Sequence, residues 1–445
     1  MQLLKRKIDS YLEAWKTAPG HKPLVVKGAR QVGKTESIRH FARTHYDHVI
    51  EINFVFQPQY ARIFDGGYEV DAIIKNITLI NPRLQFVPGN TLLFFDEMQA
   101  CPKCATCLKP FKIDGRYDVI CSGSLMGINY AEIESVSVGY KEDFEMRSMD
   151  FEEFLWAKGY DDTLTTELLQ HMLSLSPVPQ LTHEVVMNAF RDYMVIGGMP
   201  EVVKGYIDSG NFSGSLALQR QLHRDYEEDV TKYAAGFDKG KILNVYHHIP
   251  VFMAKENKKF QVSKIARGAR NREYLGAVEW LADAGIVNAC YCMAMPELPL
   301  KGNYNPAAYK LYFADTGMLV ASLDDEAQDD LRQNRNFGTC KGAIYENIVA
   351  DMLAKQGYGL YHYKDDANSI ETDFFVRDAS SLIPVEVKAG DSSTPSLRRL
   401  IESPKFADVK YGIKLGNRNI GFNGEFYTFP YYLTFLMRRY LSQRQ

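Results

Sequence analysis

The sequence predicts an α/β fold that begins with a parallel sheet flanked by helices, and three observations predict it. The apolar run 24–26 leads into a glycine-containing segment and then into a helical pattern, which is the order strand, loop, helix. The run 91–95 is almost entirely apolar, as a strand buried on both faces of a parallel sheet must be. The run 117–121 is a further apolar strand, and it ends in serines. Polar residues that follow such strands lie at the edge where open α/β sheets bind ligands.

Composition limits the class of protein. The 445 residues are enough for about three domains of ~150 residues each. The net charge of −3 does not suit a whole-molecule polyanion binder, so any basic patch must be local. No secretory apolar region and no apolar run near the ~20 residues of a membrane span are present. Seven cysteines, an odd and uneven set, fit a reducing compartment, and we expect a cytoplasmic protein without membrane association.

The remaining elements of the first sheet follow in order. The amphipathic spacing of 1–22 predicts one helix that ends at a Pro-Gly turn. A helix follows the first strand to about residue 43, and alternation over 48–54 predicts a second strand. A fifth strand is expected around 144–149.

The segment between the first strand and its helix has the pattern of a phosphate-binding loop. Its residues are Gly28, Ala29, Arg30, Gln31, Val32, Gly33, Lys34 and Thr35. The glycines let backbone amides turn inward and hold phosphate oxygens at a helix N-terminus. We expect Lys34 to reach the β- and γ-phosphates of ATP as a catalytic residue and Thr35 to ligate Mg²⁺. The alternative is an ordinary glycine-containing turn, which the full eight-residue match disfavours.

Acidic and hydroxyl residues follow the next strands. Asp96 is expected to hold Mg²⁺ through water, and Glu97 to activate the water that attacks the γ-phosphate. The alternative is an acidic strand end that caps a helix. Ser122 and Ser124 could sense the γ-phosphate or position water, or they could cap the following turn, and the sequence favours neither interpretation.

Three cysteines between these strands have metal-ligand spacing. Cys101, Cys104 and Cys107 form two Cys-x-x-Cys steps. However, Pro102 suits the start of a helix, on which residues three apart share a face. A structural zinc site requires four ligands, and no fourth Cys or His lies nearby in the sequence. We therefore favour a helix with incidental cysteines, with zinc as the alternative.

The sequence patterns in the middle of the chain predict a helical lid, followed by a winged helix-turn-helix. Helical patterns over 150–236 are consistent with a lid on the sheet. A dense basic stretch over 255–272 precedes a helix that ends near Gly285 and a strand or wing over 286–293. The residues expected to contact DNA are Lys264, Arg267, Arg270, Asn271 and Arg272. The alternative is a winged helix that packs against protein.

The C-terminal part predicts a small α/β domain with charged residues on paired strands. A helix over 341–355 carries Glu346, and strands are expected over 359–363, 372–377 and 383–389. Asp373 opens the second of these strands, and Glu386 and Lys388 share a face of the third because side chains alternate. Asp373 and Glu386 would bind Mg²⁺, Glu346 would orient the metal shell, and Lys388 would position the attacking water. The alternative is a charged hairpin without chemistry.

These motifs together resemble a prokaryotic family of AAA+-type P-loop ATPases with a C-terminal domain of unknown function. The matching segments are 28–35, 94–97, 122–124, 150–154, 197–200, 315–317, 345–347 and 384–388. The resemblance implies an ATPase core over 1–149, a helical lid over 150–236, a winged helix over 237–335 and a restriction-endonuclease-like domain over 336–445.

One departure from the family concerns the arginine that completes the ATPase site. Many relatives place it directly after the glycine before strand 5, where this chain has Tyr140 after Gly139. Arg147 and Arg116 are weaker candidates. Such an arginine often comes from a neighbouring subunit, which would make the protein a homo-oligomer.

Two hypotheses of function follow. In the first, Mg²⁺-dependent ATP hydrolysis is coupled to action on DNA through the winged helix and the nuclease-like domain. In the second, the chain is a nucleotide-dependent switch or scaffold that binds a protein partner and has no nuclease activity. ATP binding is common to both.

Overall fold

The computed structural model describes residues 3–124, 137–234, 236–253, 270–324, 326–333, 335, 338–388 and 393–444, with the side chains of 271 and 338–340 outside the description. The chain divides into two compact units, Met1–Ser148 and Met149–Gln445. Among the described residues, no helix combines the length and the apolarity that crossing a bilayer requires.

The first unit alternates strands with helices. In chain order its elements are α1 (Lys7–Thr17), β1 (Leu24–Gly28), α2 (Lys34–His45), β2 (His48–Asn53), α3 (Val70–Ile80), β3 (Thr91–Asp96), α4 (Lys103–Asp114), β4 (Asp118–Ser124) and β5 (Glu142–Glu145). The five strands form one parallel sheet in the order β2-β3-β4-β1-β5. This sheet confirms the predicted parallel α/β arrangement. The first helix is shorter than predicted, and the fifth strand begins and ends earlier.

Apolar side chains cover both faces of this sheet. One buried cluster joins α1 and α2 to the sheet and includes Leu12, Ile38 and Phe94. A second cluster joins α3 and α4 to the other face and includes Ile73 and Phe95. Because adjacent β3 residues serve opposite clusters, the strand is apolar without a break, and this continuity made it recognisable in the sequence. Because the five strands are parallel, their carboxyl ends meet at one edge of the sheet.

The second unit begins with helices and continues with two sheets. Its helices are α5 (Phe151–Ala157), α6 (Asp162–Ser174), α7 (Gln180–Ile196), α8 (Pro200–Ser209), α9 (Phe212–Tyr233), α10 (Lys239–Met253), α11 (Asn271–Asp283), α12 (Thr316–Ala321), α13 (Ala327–Arg332), α14 (Gly338–Lys355), α15 (Pro395–Glu402) and α16 (Met437–Gln443). Its strands are β6 (Val287–Met293), β7 (Tyr304–Phe313), β8 (Leu360–Asp365), β9 (Ile370–Thr372), β10 (Phe374–Arg377), β11 (Leu382–Val387), β12 (Gly412–Gly416), β13 (Gly421–Phe422) and β14 (Phe426–Pro430).

The two sheets divide the strands in a way that the sequence did not predict. One sheet has the order β7-β6-β8-β9, and the other has the order β10-β11-β12-β14-β13. The segment expected as a strand or wing over 286–293 forms β6, which pairs with β7 in an antiparallel hairpin and with β8 in parallel. The strand expected over 372–377 is interrupted at Asp373, so its two parts, β9 and β10, belong to different sheets.

A glycine pair after α7 makes close backbone contacts within the second unit. Gly197 has a φ of +74°, and a Cβ on it would collide with the carboxylate of Asp315. The amide of Gly198 donates to Oδ2 of Asp315 over 2.8 Å. A Cβ on Gly198 would also collide with the carbonyl of Met149. Two of the segments that carried the family resemblance, 197–200 and 315–317, thus form one structural contact.

A buried lysine at the end of α14 joins the same region. Nζ of Lys355 donates to Oδ2 of Asp351 over 3.0 Å, to the hydroxyl of Tyr193 over 2.9 Å and to the carbonyl of Met149 over 3.1 Å. Nζ of Lys355 also forms an ion pair with Oδ2 of Asp315 over 3.8 Å. This network ties α7, α12 and α14 to the first residue of the second unit.

Candidate functional site

The predicted phosphate-binding loop connects β1 to α2 at the carboxyl edge of the sheet. Gly33 precedes α2 with a φ of 96°, a conformation that glycine adopts without steric cost. A Cβ on Gly28 would collide with the backbone carbonyl of Met146, so the loop passes too close to its neighbour for any larger residue. The loop conformation therefore depends on both glycines.

Lys34 lies over this loop. Its Nζ donates to the carbonyl of Gly28 over 3.0 Å and to that of Ala29 over 2.7 Å. Burial lowers the pKa of Lys34 to about 8, and the nearby carboxylates of Glu97 and Asp96 only partly oppose this shift. The ammonium group is thus positioned above the loop, where a polyphosphate would lie.

Asp96, at the end of β3, is the acceptor at which three neighbouring elements converge. Oγ1 of Thr35 donates to its two carboxylate oxygens over 3.2 and 3.3 Å. Nδ2 of Asn53 donates over 2.9 Å, and the hydroxyl of Ser122 donates as well. The Asp96 side chain is almost completely buried. Hydroxyl and carboxylate oxygens are the ligands that Mg²⁺ prefers, so these residues fit the ion that the sequence predicts here.

Glu97 follows directly and is held differently. Its φ of 56° is unusual for a residue with a side chain, and it turns the chain out of β3. Nε2 of Gln99 donates to the Glu97 carboxylate, while Oε1 of Gln99 accepts from the backbone amide of Ser124 over 3.3 Å. Gln99 therefore connects the predicted general base to the end of β4.

The two arginines considered for the site have other partners. Arg147 forms an ion pair with Glu145 over 2.9 Å. Arg116 pairs with Asp71 over 2.6 Å and with Asp114 over 2.7 Å. Arg116 precedes β4, so it lies at the edge of the sheet opposite to the phosphate-binding loop.

Arg6, Asn53 and Gln99 belong to this site, and the sequence analysis missed all three. Nη1 of the buried Arg6 donates to the carbonyl of Val32 over 2.8 Å, and Nη2 donates to the carbonyl of Arg147 over 2.8 Å. The polar end of β2 could have indicated Asn53, because Asn53 pairs in register with Asp96. No sequence pattern around Arg6 indicates its place in the site, because the carbonyls that its side chain contacts lie far along the chain.

The cysteines lie on or beside a helix, as favoured from the sequence. Cys104 and Cys107 lie on α4, and the thiol of Cys107 donates to the carbonyl of Cys104 over 3.1 Å. Sγ of Cys104 lies 3.7 Å from Sγ of Cys121, a fourth cysteine that reaches the cluster from β4. Burial raises the pKa of the Cys101 thiol to about 11. Within the described ranges, no group of three or more His, Cys, Asp or Glu residues is arranged to hold a metal ion.

The charged residues predicted in the C-terminal domain come together from several elements. Glu346 lies on α14, Asp373 lies between β9 and β10, and Glu386 lies on β11. Oδ2 of Asp373 accepts from the amide of Val387 over 2.9 Å, and Lys388 forms an ion pair with Glu386. Burial raises the pKa of Glu386, and the Lys388 ammonium opposes that shift.

A lysine that was not predicted lies among these carboxylates. Nζ of Lys310, on β7, is 3.8 Å from Glu346, 3.5 Å from Glu371 and 4.0 Å from Asp373. Its side chain is 4% exposed. Burial alone would lower the pKa of Lys310, but the surrounding carboxylates raise it above its ordinary value. The predicted metal site thus contains an ammonium group.

The structure describes only part of the predicted DNA-binding segment. Lys264 and Arg267 lie outside the described residues. Arg270 precedes α11 and is exposed, Asn271 is the first residue of that helix, and Arg272 is exposed. DNA contact by these residues stays a prediction.

Three family models match the chain. Residues 20–155 match a model described as an AAA domain, and residues 187–329 and 341–433 match two domains of unknown function, DUF8612 and DUF4143. No curated protein matches the chain. The AAA match covers the phosphate-binding loop, Asp96 and Glu97, and it supports ATP binding by an AAA-type domain in the first unit.

Solved structures with partial similarity to this chain were also found. The Walker-type ATPase PABY2304 of Pyrococcus abyssi has a TM-score of 0.43 at 13% identity, with 72% of this chain and 96% of that chain covered. The ORC2 protein of Aeropyrum pernix in its ADP form has a TM-score of 0.32 at 12% identity, with 75% and 95% covered. The Holliday junction branch migration motor RuvB of Thermotoga maritima has a TM-score of 0.28 at 13% identity, with 63% and 87% covered. At such scores the likenesses alone establish neither fold nor function.

Proposed function

We propose that the first unit binds Mg²⁺-ATP and hydrolyses it. The observation that carries this proposal is the meeting of Thr35 and Asp96 beside Lys34. Lys34 and Thr35 belong to the phosphate-binding pattern, and Asp96 ends the apolar strand that the sequence predicts beside it. The AAA-domain match over residues 20–155 supports it independently.

Each residue then has a chemical task. The Lys34 ammonium binds the β- and γ-phosphates, which requires it to exchange its two loop carbonyls for phosphate oxygens. Thr35 and Asp96 hold the magnesium ion, whose chemistry is to neutralise charge that develops on the phosphate oxygens. The Glu97 carboxylate accepts a proton from the attacking water. Ser122 and Asn53 orient Asp96, while Gln99 orients Glu97.

Steady-state ATP turnover and equilibrium ATP binding test these assignments. We expect Lys34→Ala to abolish or strongly weaken binding, and we expect the exposed Lys75→Ala control to behave as wild type. Glu97→Gln should keep binding and lose turnover. Unchanged turnover in Glu97→Gln would refute the assigned base.

We propose further that turnover is coupled to DNA through the basic segment that leads into the first turn of α11. Its residues are Lys264, Arg267, Arg270, Asn271 and Arg272. Turnover should rise when duplex or single-stranded DNA is added, and DNA binding should weaken as salt rises because phosphate contacts release counterions. DNA binding that is absent or insensitive to salt would remove this proposal while leaving ATP hydrolysis intact.

The alternative function is a nucleotide-dependent switch that holds a protein partner without cutting nucleic acid. The contact of Lys310 with Glu346 and Asp373 favours it, because an internal ammonium already neutralises the predicted metal ligands. In this case DNA leaves turnover unchanged, and the partner is recovered only with the ATP-bound Glu97→Gln chain. If cleavage of DNA is detected, Lys388→Ala should remove it while leaving ATP turnover intact.

We also propose that the active form is a homo-oligomer in which a neighbouring copy supplies the missing arginine. Arg147 and Arg116 both have acidic partners, which supports an external source. Turnover per chain should then rise with protein concentration, and sedimentation should show assembly over the same range. Constant turnover per chain across a monomeric range would contradict it.

A further inference from the structure

The C-terminal carboxylate cluster is built around a buried ammonium group. Lys310 approaches Glu346, Glu371 and Asp373 within 3.5–4.0 Å. The three carboxylates come from α14, from β9 and from the junction between β9 and β10, while the lysine comes from β7. The group therefore joins the hairpin of β6 and β7 to the elements that follow it.

We infer that Lys310 is the resident cation of this cluster, so that the cluster holds no divalent metal and the C-terminal domain cleaves no phosphodiester bond. This inference goes beyond the ATPase function and does not depend on it. It reverses the function that the sequence pattern of Glu346, Asp373, Glu386 and Lys388 suggests.

The physical reason is competition for the same carboxylates. Mg²⁺ needs oxygen ligands at about 2.0–2.1 Å, which draws the carboxylates onto one point. An ammonium within 4 Å of two of the three predicted ligands would then lie a few ångströms from a doubly charged ion in a poorly solvated site. The ammonium of Lys310 and a divalent ion therefore compete for the same carboxylates, and the ion binds only if the lysine is displaced.

Lys310 is poorly placed to leave. It lies on β7 directly across from Cys290 on β6, within a continuous antiparallel register that runs from Tyr309 to Phe313. Its side chain is almost fully buried, so its withdrawal would require the hairpin to separate from the sheet.

The hydrogen bonding within the cluster indicates how the lysine is held. Among the described residues, Nζ of Lys310 makes no hydrogen bond, and Oε2 of Glu386 accepts none. The lysine is thus held by the summed charge of the carboxylates rather than by directed bonds. Removing its charge should leave the carboxylates of Glu346 and Asp373 without this ammonium, beside an oxygen of Glu386 that Lys388 does not occupy. Such a group of carboxylate oxygens suits a divalent cation.

Titration of the full chain with Mn²⁺ in the absence of nucleotide tests this inference, with bound ion followed by electron paramagnetic resonance. Glu386→Gln should leave the amount of Mn²⁺ bound by the otherwise wild-type chain unchanged. Lys310→Met, which keeps the length of the side chain, should gain one such site. Adding Glu386→Gln to Lys310→Met should abolish the gained site. The exposed Lys301→Met is the matched control and should behave as wild type.

Thermal unfolding in the same solutions gives a second readout. The melting temperature of Lys310→Met should rise by several degrees when Mn²⁺ is added, while that of Lys301→Met stays unchanged. A folded Lys310→Met chain that gains no Mn²⁺ site overturns the inference. The inference is also overturned if wild type binds Mn²⁺ at a site that Glu386→Gln removes. That result holds whether or not Lys310→Met folds. Failure of ATP binding would affect neither measurement.

Discussion

ATP binding should weaken as the pH rises from 7 to 9, because the ammonium of Lys34 is easily lost. Burial lowers the pKa of Lys34 to about 8, and its Nζ donates hydrogen bonds to the carbonyls of two loop residues. A bound triphosphate is strongly anionic, so it favours the charged form and raises that pKa. With a pKa near 8, about nine-tenths of Lys34 is charged at pH 7 and about one-tenth at pH 9. The dissociation constant of ATP should therefore rise about tenfold over this range.

The same linkage predicts that protons are taken up on binding. Uptake should be about half a proton at pH 8 and about nine-tenths of a proton at pH 9. Calorimetric titration of ATP in two buffers with different ionisation enthalpies measures this number directly. Lys75→Ala should keep the uptake. Equal affinity at pH 7 and pH 9, with no proton uptake at pH 9, would refute the argument that a buried Lys34 binds the phosphates.

The sign of this shift also fixes its effect on stability. The pKa of Lys34 in the folded chain lies below its ordinary value of 10.5, so the unfolded chain binds this proton more tightly. Lys34 consequently destabilises the fold below about pH 8, and this cost falls as the pH rises from 8 towards 10.5.

Three further changes test other parts of the structure. Glu97→Gln should lower ATP turnover by about 10²- to 10⁴-fold in a steady-state assay while ATP affinity stays within a few-fold of wild type. Arg6→Met removes donors from two carbonyls near the loop and should lower the free energy of unfolding of the first unit by about 3 kcal/mol in a urea titration, whereas the exposed Arg83→Met should change it little. Lys355→Met removes the ammonium that pairs with two buried carboxylates, and it should lower the free energy of unfolding of the second unit by about 3–5 kcal/mol in the same assay. The exposed Lys410→Met is its control, and equal effects of the two lysine variants would contradict the ion cluster.

The first unit could be predicted well because its signals are local. A strand buried on both faces is an apolar run, and β3 is buried at all six positions. A phosphate-binding loop needs particular residues at consecutive positions, and Lys34 and Thr35 follow the loop directly onto α2. Asp96 meets Thr35 because parallel strands bring their carboxyl ends together, so one edge of the sheet collects residues that are far apart in sequence.

The second unit could be predicted less well because its key contacts are not local. Lys310 lies on a strand whose first four residues are exposed and whose last six are buried, so alternation gives no indication of its burial. Its partners lie 36 or more residues further along the chain. The break at Asp373 likewise follows from the separation of two sheets, which no local pattern around that residue indicates. Arg6 was missed for the same reason, since its acceptors are the carbonyls of Val32 and Arg147.

Calorimetric titration of ATP at pH 7 with and without Mg²⁺, on wild type and on Asp96→Asn, tests the proposed magnesium site. We propose that Asp96 and Thr35 hold the magnesium of a nucleotide bound over Lys34. Wild type should bind ATP more tightly with Mg²⁺ than without it, and Asp96→Asn should lose most of this difference while it still binds ATP alone. Absence of binding heat from folded wild type, or an undiminished Mg²⁺ effect in Asp96→Asn, would contradict the claim.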